Sequence, residues 1–229
     1  MKVKFIEVIS DKKLVPAVKA NLKSLNEYKK IGLISSIQHA IHLKDVKEYL
    51  ESKGKKIYLS KGSSNCKYPG QILGCDVSCA LKIGKKIDCF LYLGTGKFHP
   101  LGILIKTNKP VLLIDPFTKK LQKFGKKEKD DYEKRRIMTI SKAKEANTYG
   151  ILVSTKPGQY NLQKAQKIKE RIENKNKKAV IFLFDILDSN EFLNFRGIDA
   201  WINTACPRIV EDTFEKPLIN LEESENLFK

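Results

Sequence analysis

Short β-branched and aromatic runs alternate along this chain with longer segments of helical period. That alternation limits the fold more than any other feature. The runs KFIEVIS near 3–9, KIGLIS near 30–35, KIYLS near 56–60, DCFLYLG near 88–94 and KPVLLID near 109–115 read as strands. Helices are expected between them, near 12–26, 42–53, 75–84 and 98–107. In LKDVKEYLESKG, Leu43, Val46, Tyr49 and Leu50 share one face, and Gly54 ends the helix. Strand–helix alternation of this kind predicts an α/β fold with mostly parallel sheets and helices on both faces, three layers in all.

The stretch KKLQKFGKKEKDDYEKRR, 119–136, is charged and weakly apolar. It reads as a linker and the start of an exposed helix. The pattern then restarts, with strand YGILVS at 149–154, a helix near 161–174, strand KAVIFLF at 178–184, a short helix, strand DAWINT at 199–204 and a last strand KPLIN near 216–220. IGLISSIQHAIHL at 31–43 lines up with GILVSTKPGQYNL at 150–162, pairing Ser35 with Ser154 and Leu43 with Leu162. DCFLYLGTG at 88–96 parallels DAWINTACP at 199–207. The order of these matches predicts two copies of one α/β module, residues 1–120 and 121–229.

The formal net charge of +18 points toward an acidic partner such as nucleic acid. Lysine, however, supplies 39 of the 44 positive charges and arginine only five. Proteins that read nucleic acid favour arginine for bidentate contacts. Lysine spread evenly reads as compositional bias, so a nucleic-acid partner is disfavoured. The apolar runs AVIFLF and CFLYL are too short to cross a bilayer. MKVKFIEVIS alternates where a secretory signal would be continuously apolar. A cytoplasmic protein without a membrane partner is expected. Five cysteines, an odd number, are expected there to be thiols or metal ligands.

Ligands of open parallel sheets bind beyond the carboxyl ends of the strands, and several loops there carry unusual residues. In YPGQILGCDVSC, Cys75 falls at the expected start of the helix at 75–84, where peptide N–H groups favour a thiolate. Gly74 lets the backbone approach a bulky group. Cys206 directly follows a strand, and Pro207 fixes its turn. Each of the two is a ligand or a small buried residue, and buried free cysteine is common. Cys79 and Cys89 suit packing faces. Cys66 lies in the polar loop KGSSNCKYPG, where exposure is expected. In GTGKFHPLG, Gly94 and Gly96 around Thr95 are expected to leave backbone amides free for an anion or carboxylate. The Gly-Lys-Ser/Thr ending of a phosphate loop is missing. His99 is an acid or base, or a helix-cap residue. Asp115 orients a ligand or caps a turn. Lys156 and Gln159 in STKPGQ sit at a strand end or form an ordinary turn. His39 and His42 lack a third zinc ligand.

Taken together, YPGQILGC, GTGKFHPLG, DP, STKPGQ and WINTACPR, in this order and spacing, resemble the archaeal diphthamide-synthesis enzyme family of non-classical radical enzymes. The resemblance covers nearly the whole chain. It implies 2-(3-amino-3-carboxypropyl)histidine synthase activity. In that reaction a 3-amino-3-carboxypropyl group passes from S-adenosylmethionine to a histidine of translation elongation factor 2, driven by a reduced 4Fe–4S cluster. It also implies an electron donor and a homodimer. Family members carry three related α/β domains, each with one cluster cysteine. Cys75 matches the second and Cys206 the third, and Cys79 is outside the pattern. Gly94, Thr95, Gly96, His99 and Gln159 are the expected S-adenosylmethionine contacts. The family's first domain and its cysteine have no match here. A polypeptide supplying that domain is therefore an expected partner. The chain is then a fragment, one product of a split gene, a non-catalytic partner subunit or a degenerate paralogue.

Overall fold

The computed structural model describes residues 4, 6–188 and 190–229. The chain divides into two compact units, Met1–Asp131 and Tyr132–Lys229. No described helix is long and apolar enough to cross a membrane.

In the first unit the elements run α1 (Val15–Ala20), β1 (Lys30–Ser35), α2 (Ile37–Ala40), α3 (Leu43–Glu51), β2 (Lys56–Tyr58), α4 (Ser78–Ile83), β3 (Cys89–Leu93), α5 (Phe98–Thr107), β4 (Val111–Ile114) and β5 (Leu121–Phe124). The sheet order is β2-β1-β3-β4-β5, parallel except for β5. One face packs Leu33, Leu91 and Leu112 against Val18 of α1 and Val46 and Leu50 of α3. The other packs Ile34, Phe90 and Tyr92 against Ile83 of α4 and Ile103 of α5. The β1 and β3 strands are buried at nearly every position, which is why they read as continuous apolar runs rather than alternating ones.

α6 (Lys126–Lys144) leads into the second unit, which holds β6 (Thr148–Ser154), α7 (Leu162–Glu173), β7 (Lys178–Phe184), β8 (Ala200–Asn203), β9 (Leu218–Asn220) and α8 (Leu221–Leu227). Its sheet, β7-β6-β8-β9, is wholly parallel. Ala165, Ile168 and Ile172 of α7 cover one face. Trp201, Phe182, Phe192 and Phe214 form an aromatic layer on the other.

The two sheets repeat one design. The first four strands of the first sheet and the four of the second have the same spatial order. Asp88 Oδ2 accepts the N–H groups of Lys29 (2.9 Å) and Lys30 (2.7 Å), and Asp199 Oδ2 accepts those of Asn147 (3.0 Å) and Thr148 (2.8 Å). Lys55 Nζ donates to the carbonyls of Leu25 and Tyr28 ahead of β1, and Lys177 Nζ donates to Lys144 and Ala146 ahead of β6. Gly32 and Gly150 make room for the rings of Phe90 and Trp201, the same position in each module.

Three expectations are corrected. Lys4 and residues 6–9 form no strand, while positions 3 and 5 lie outside the described residues. Ile6 and Val8 are exposed, and the segment is held by polar contacts, Glu7 with Lys67 (2.8 Å) and Tyr68 (2.9 Å) and Ser10 N–H to Gln38 O (2.9 Å). The stretch at 119–124 is not a linker. Asp115 Oδ1 accepts the N–H groups of Phe117 (2.8 Å) and Thr118 (3.2 Å), and the turn delivers LQKF antiparallel onto β4. Charge is tolerated in β5 because it is an edge strand, and its pairing places residues 121–124 on the first sheet. The helix expected at 75–84 starts at Ser78, which leaves Cys75 outside it.

Candidate metal centre

The loop between β2 and α4 is fastened across the carboxyl end of β1. Ser35 N–H donates to Gly70 O (2.9 Å), and Ile72 N–H donates to Ser35 O (2.9 Å). Gly70 has φ +76°, and a Cβ there would strike Leu43, Leu59 and the Leu33 carbonyl, so YPGQ needs its glycine at this clamp. Beyond the clamp, Leu73 and Asp76 exchange backbone hydrogen bonds of 2.9 and 3.0 Å. Gly74 and Cys75 are the two residues at the tip of that tight hairpin. Gly74 lies against the Phe98 ring, and Cys75 is exposed.

Asp76 anchors the hairpin from beneath. It accepts hydrogen bonds from the Ser63 hydroxyl, the Ser78 N–H (2.9 Å) and the Cys66 thiol (3.6 Å). Burial alone would raise its carboxyl, but these bonds prevail and hold it down at about 2. Cys66 is buried rather than exposed. Burial and the neighbouring Asp76 carboxylate push its thiol up to about 11. Cys79 donates to Gln71 O (3.2 Å), and burial pushes it up to about 12. Cys89 is likewise pushed up to about 12 by burial. These three thiols are core side chains, poorly disposed to ionise and ligate.

At the end of β3, a Cβ on Gly94 would fall 2.8 Å from the Tyr92 hydroxyl. The Gly94 N–H donates to Ile114 O (3.2 Å), so it is not free for an anion as the sequence suggested. Thr95 and Gly96 are exposed, Gly96 has φ +77°, and their N–H groups meet no acceptor among the described residues. His99 stands in the first turn of α5, stacked on Tyr92 (5.8 Å) and edge-on to Phe98 (5.4 Å). Its Nδ1 is 3.4 Å from the Tyr92 hydroxyl. Since Phe98 also abuts Gly74, the Cys75 hairpin and the Gly94–His99 loop meet at one edge of the first sheet. Tyr92 is a participant that the sequence reading missed. It is hidden in an apolar strand, and its value lies in a hydroxyl that reaches the strand end.

In the second unit Cys206 is partly exposed and caps a 3₁₀ turn, Pro207–Glu211. Asn203 holds its loop. The Asn203 Oδ1 accepts Ala205 N–H (3.0 Å), and its Nδ2 donates to Cys206 O (2.8 Å) and Asn220 Oδ1 (2.9 Å). Asn161 Nδ2 donates to Thr204 O (2.7 Å) and Gln159 O (3.4 Å), which sets Gln159 beside the Cys206 loop. Lys156 N–H donates to Ser154 Oγ (3.2 Å) in the same turn. His39 is buried with Nδ1 unpartnered among the described residues, and His42 Nε2 is 2.8 Å from Ser10 O. Among the described residues no three His, Cys, Asp or Glu side chains are grouped as a complete metal site. Each unit thus offers one accessible thiol beside the carboxyl ends of its strands.

The whole chain, residues 1–229, matches the model of the family described as putative diphthamide synthesis protein. The chain belongs to that family. It is 33% identical over 227 residues to the 2-(3-amino-3-carboxypropyl)histidine synthase of Pyrococcus horikoshii, covering 97% of this chain and 64% of that one. To the synthase of Methanocaldococcus jannaschii it is 32% identical over 194 residues, covering 79% of this chain and 55% of that one. A crystal structure of Dph2 from Pyrococcus horikoshii with a 4Fe–4S cluster superposes with a TM-score of 0.85 at 32% identity, covering 96% of this chain and 63% of that one. The chain thus spans between about half and two thirds of these relatives' length.

Proposed function

We propose that this chain contributes two cluster ligands, Cys75 and Cys206, to a 2-(3-amino-3-carboxypropyl)histidine synthase acting on a histidine of elongation factor 2. The observation that carries the proposal is the division among the five cysteines. Two are accessible on loops at strand ends, and three are buried with raised thiols. Accessible thiols on loops held by local hydrogen bonds fit iron–sulfur ligation. When bound and reduced, a 4Fe–4S cluster supplies the electron that cleaves the bond from sulfur to the γ-carbon in S-adenosylmethionine. The chain's own residues bind and orient. The free N–H groups of Thr95 and Gly96 suit the carboxylate of the methionine moiety. His99, fixed by Tyr92 and Phe98, and Gln159 supply side-chain hydrogen bonds. Two thiolates leave the cluster short of protein ligands, and the family resemblance implies a third cysteine from the family's first domain.

Anaerobic reconstitution with iron and sulfide tests this reading. Cys75→Ser and Cys206→Ser should each lower bound iron, and Cys66→Ser should not. Iron content unchanged by the first two substitutions would overturn it. Transfer of labelled carbon from S-adenosylmethionine to elongation factor 2 separates a catalytic assembly from a non-catalytic partner subunit.

A further inference from the structure

The positive charge of this chain is divided unequally between its two units. Residues 1–131 hold twenty-seven lysines and no arginine against twelve carboxylates. Residues 132–229 hold seventeen basic side chains against fourteen carboxylates. Compositional bias acting on the whole chain would load both units alike.

Within the first unit the topology gathers many of these lysines at the amino ends of the strands, the edge opposite the cysteine hairpin. Lys30 and Lys56 open β1 and β2 and are register partners. Lys56 N–H donates to Lys29 O (2.8 Å), and Asp88 N–H donates to Lys30 O (2.8 Å), so these residues stand side by side. Lys53 lies in the turn after α3, and Lys85 and Lys86 lie in the 3₁₀ turn that enters β3. The antiparallel β5 ends at the same edge, with Phe124 opposite Val111, and Lys126 and Lys127 follow it. Lys29, Lys30, Lys53, Lys56, Lys85 and Lys86 are exposed, and none of the six forms an ion pair among the described residues. Two carboxylates at the strand starts are already engaged. Asp88 accepts two backbone N–H groups, and Glu27 pairs with Lys123.

We propose that this amino-end rim binds the phosphate backbone of a double-helical nucleic acid without reading its sequence. Five strands about 4.8 Å apart span about 19 Å, a length over which a duplex presents about eleven phosphates. Lysine without arginine supplies point charges and no forked base contacts. An acidic protein would need apolar anchors at the centre of its footprint. The exposed large apolar side chains of this unit lie elsewhere: Ile6, Val8 and Ile9 before α1, Ile41 after β1, Leu81 on α4 and Phe117 after β4. The sequence argument against nucleic acid took the lysines as evenly spread, and in the fold they are not.

The test is fluorescence anisotropy of a labelled RNA duplex of about twenty base pairs with the full chain, over a salt series. One variant combines Lys29→Gln, Lys30→Gln, Lys56→Gln and Lys86→Gln. A control of equal charge combines Lys164→Gln, Lys167→Gln, Lys175→Gln and Lys178→Gln in the second unit. The rim variant should bind at least about tenfold more weakly and lower the slope of log K against log salt by about 3–4, with the control within about twofold of the parent. Circular dichroism reports folding. If the quadruple variant unfolds, the exposed pair Lys85→Gln and Lys86→Gln carries the same comparison. No duplex binding at low salt, equal losses in rim and control variants, or tighter binding to polyglutamate than to the duplex would each overturn the proposal.

Discussion

Gly74 lies under the ring of Phe98. A Cβ at position 74 would stand 2.6 Å from Cε1 and 3.2 Å from Cζ of that ring. This contact ties the Cys75 hairpin to the first turn of α5, and thereby to His99 and the Gly94–Gly96 loop. The glycine before Cys75 is therefore a packing requirement of the loop assembly, independent of any bound group.

Gly74→Ala should destabilise the first unit by about 1–3 kcal/mol, the usual cost of forcing a methyl into a filled space. Phe98→Leu combined with it should recover more than half of that loss, because the shorter side chain vacates the clash. Urea unfolding of the two single variants and the double variant measures the coupling.

Thiol labelling of the folded chain should divide the cysteines into two classes. Cys75 and Cys206 should react within minutes with a small alkylating reagent near pH 8. Cys66, Cys79 and Cys89, with thiols pushed up to about 11, 12 and 12, should remain protected until the chain unfolds. Peptide mass spectrometry after timed quenching assigns each site. Fast labelling of Cys66 would show that its loop opens.

The central strands were legible because burial on both faces writes them as unbroken apolar runs. KIGLIS matches β1 residue for residue, and CFLYL matches β3. KAVIFLF also matches β7 residue for residue, although β7 is a half-exposed edge strand whose apolar run comes from the aromatic layer beside it. β5 was not legible. As an edge strand its outward residues Gln122 and Lys123 are polar, and only its hairpin to β4 makes it a strand. The alternation of Ile6 and Val8 misled for the opposite reason, since period alone cannot provide a sheet edge to pair with. At the candidate site, the thiol loops could be read from glycine and proline punctuation. The burial of Cys66 could not, because it depends on Asp76 and Ser63 folding over it. The clasp of Asn203 was likewise hidden, because its partner Asn220 lies on another strand.

Asp88→Asn should flatten the acid limb of the stability curve. The Lys30 N–H, and with it that of Lys29, holds the Asp88 carboxyl below its ordinary value. A carboxyl depressed in the folded state contributes stability that is fully present above its unfolded value near 3.8 and lost as pH falls through its folded value. Urea midpoints measured between about pH 2 and 6 should therefore fall more steeply for the parent than for the variant. Parallel curves would show that another group dominates.

Asn203→Ala tests whether the Cys206 loop is held by its own unit. The side chain is buried and engages Ala205, Cys206 and Asn220. Removing it strands an N–H and a carbonyl of the loop and leaves Asn220 Oδ1 without that donor. The expected loss is about 1–3 kcal/mol. The sole tryptophan, Trp201, lies two residues away on the same strand, so its emission follows the second unit alone. The transition seen by Trp201 should move to lower urea, and the labelling rate of Cys206 should rise while that of Cys75 stays fixed. Asn203→Asp keeps the acceptor for Ala205 N–H but replaces the donor with a carboxylate facing the Cys206 carbonyl, so it should be no better than alanine. If Asn203→Ala leaves both the Trp201 transition and the Cys206 rate unchanged, the loop is positioned by Pro207 and the 3₁₀ turn instead.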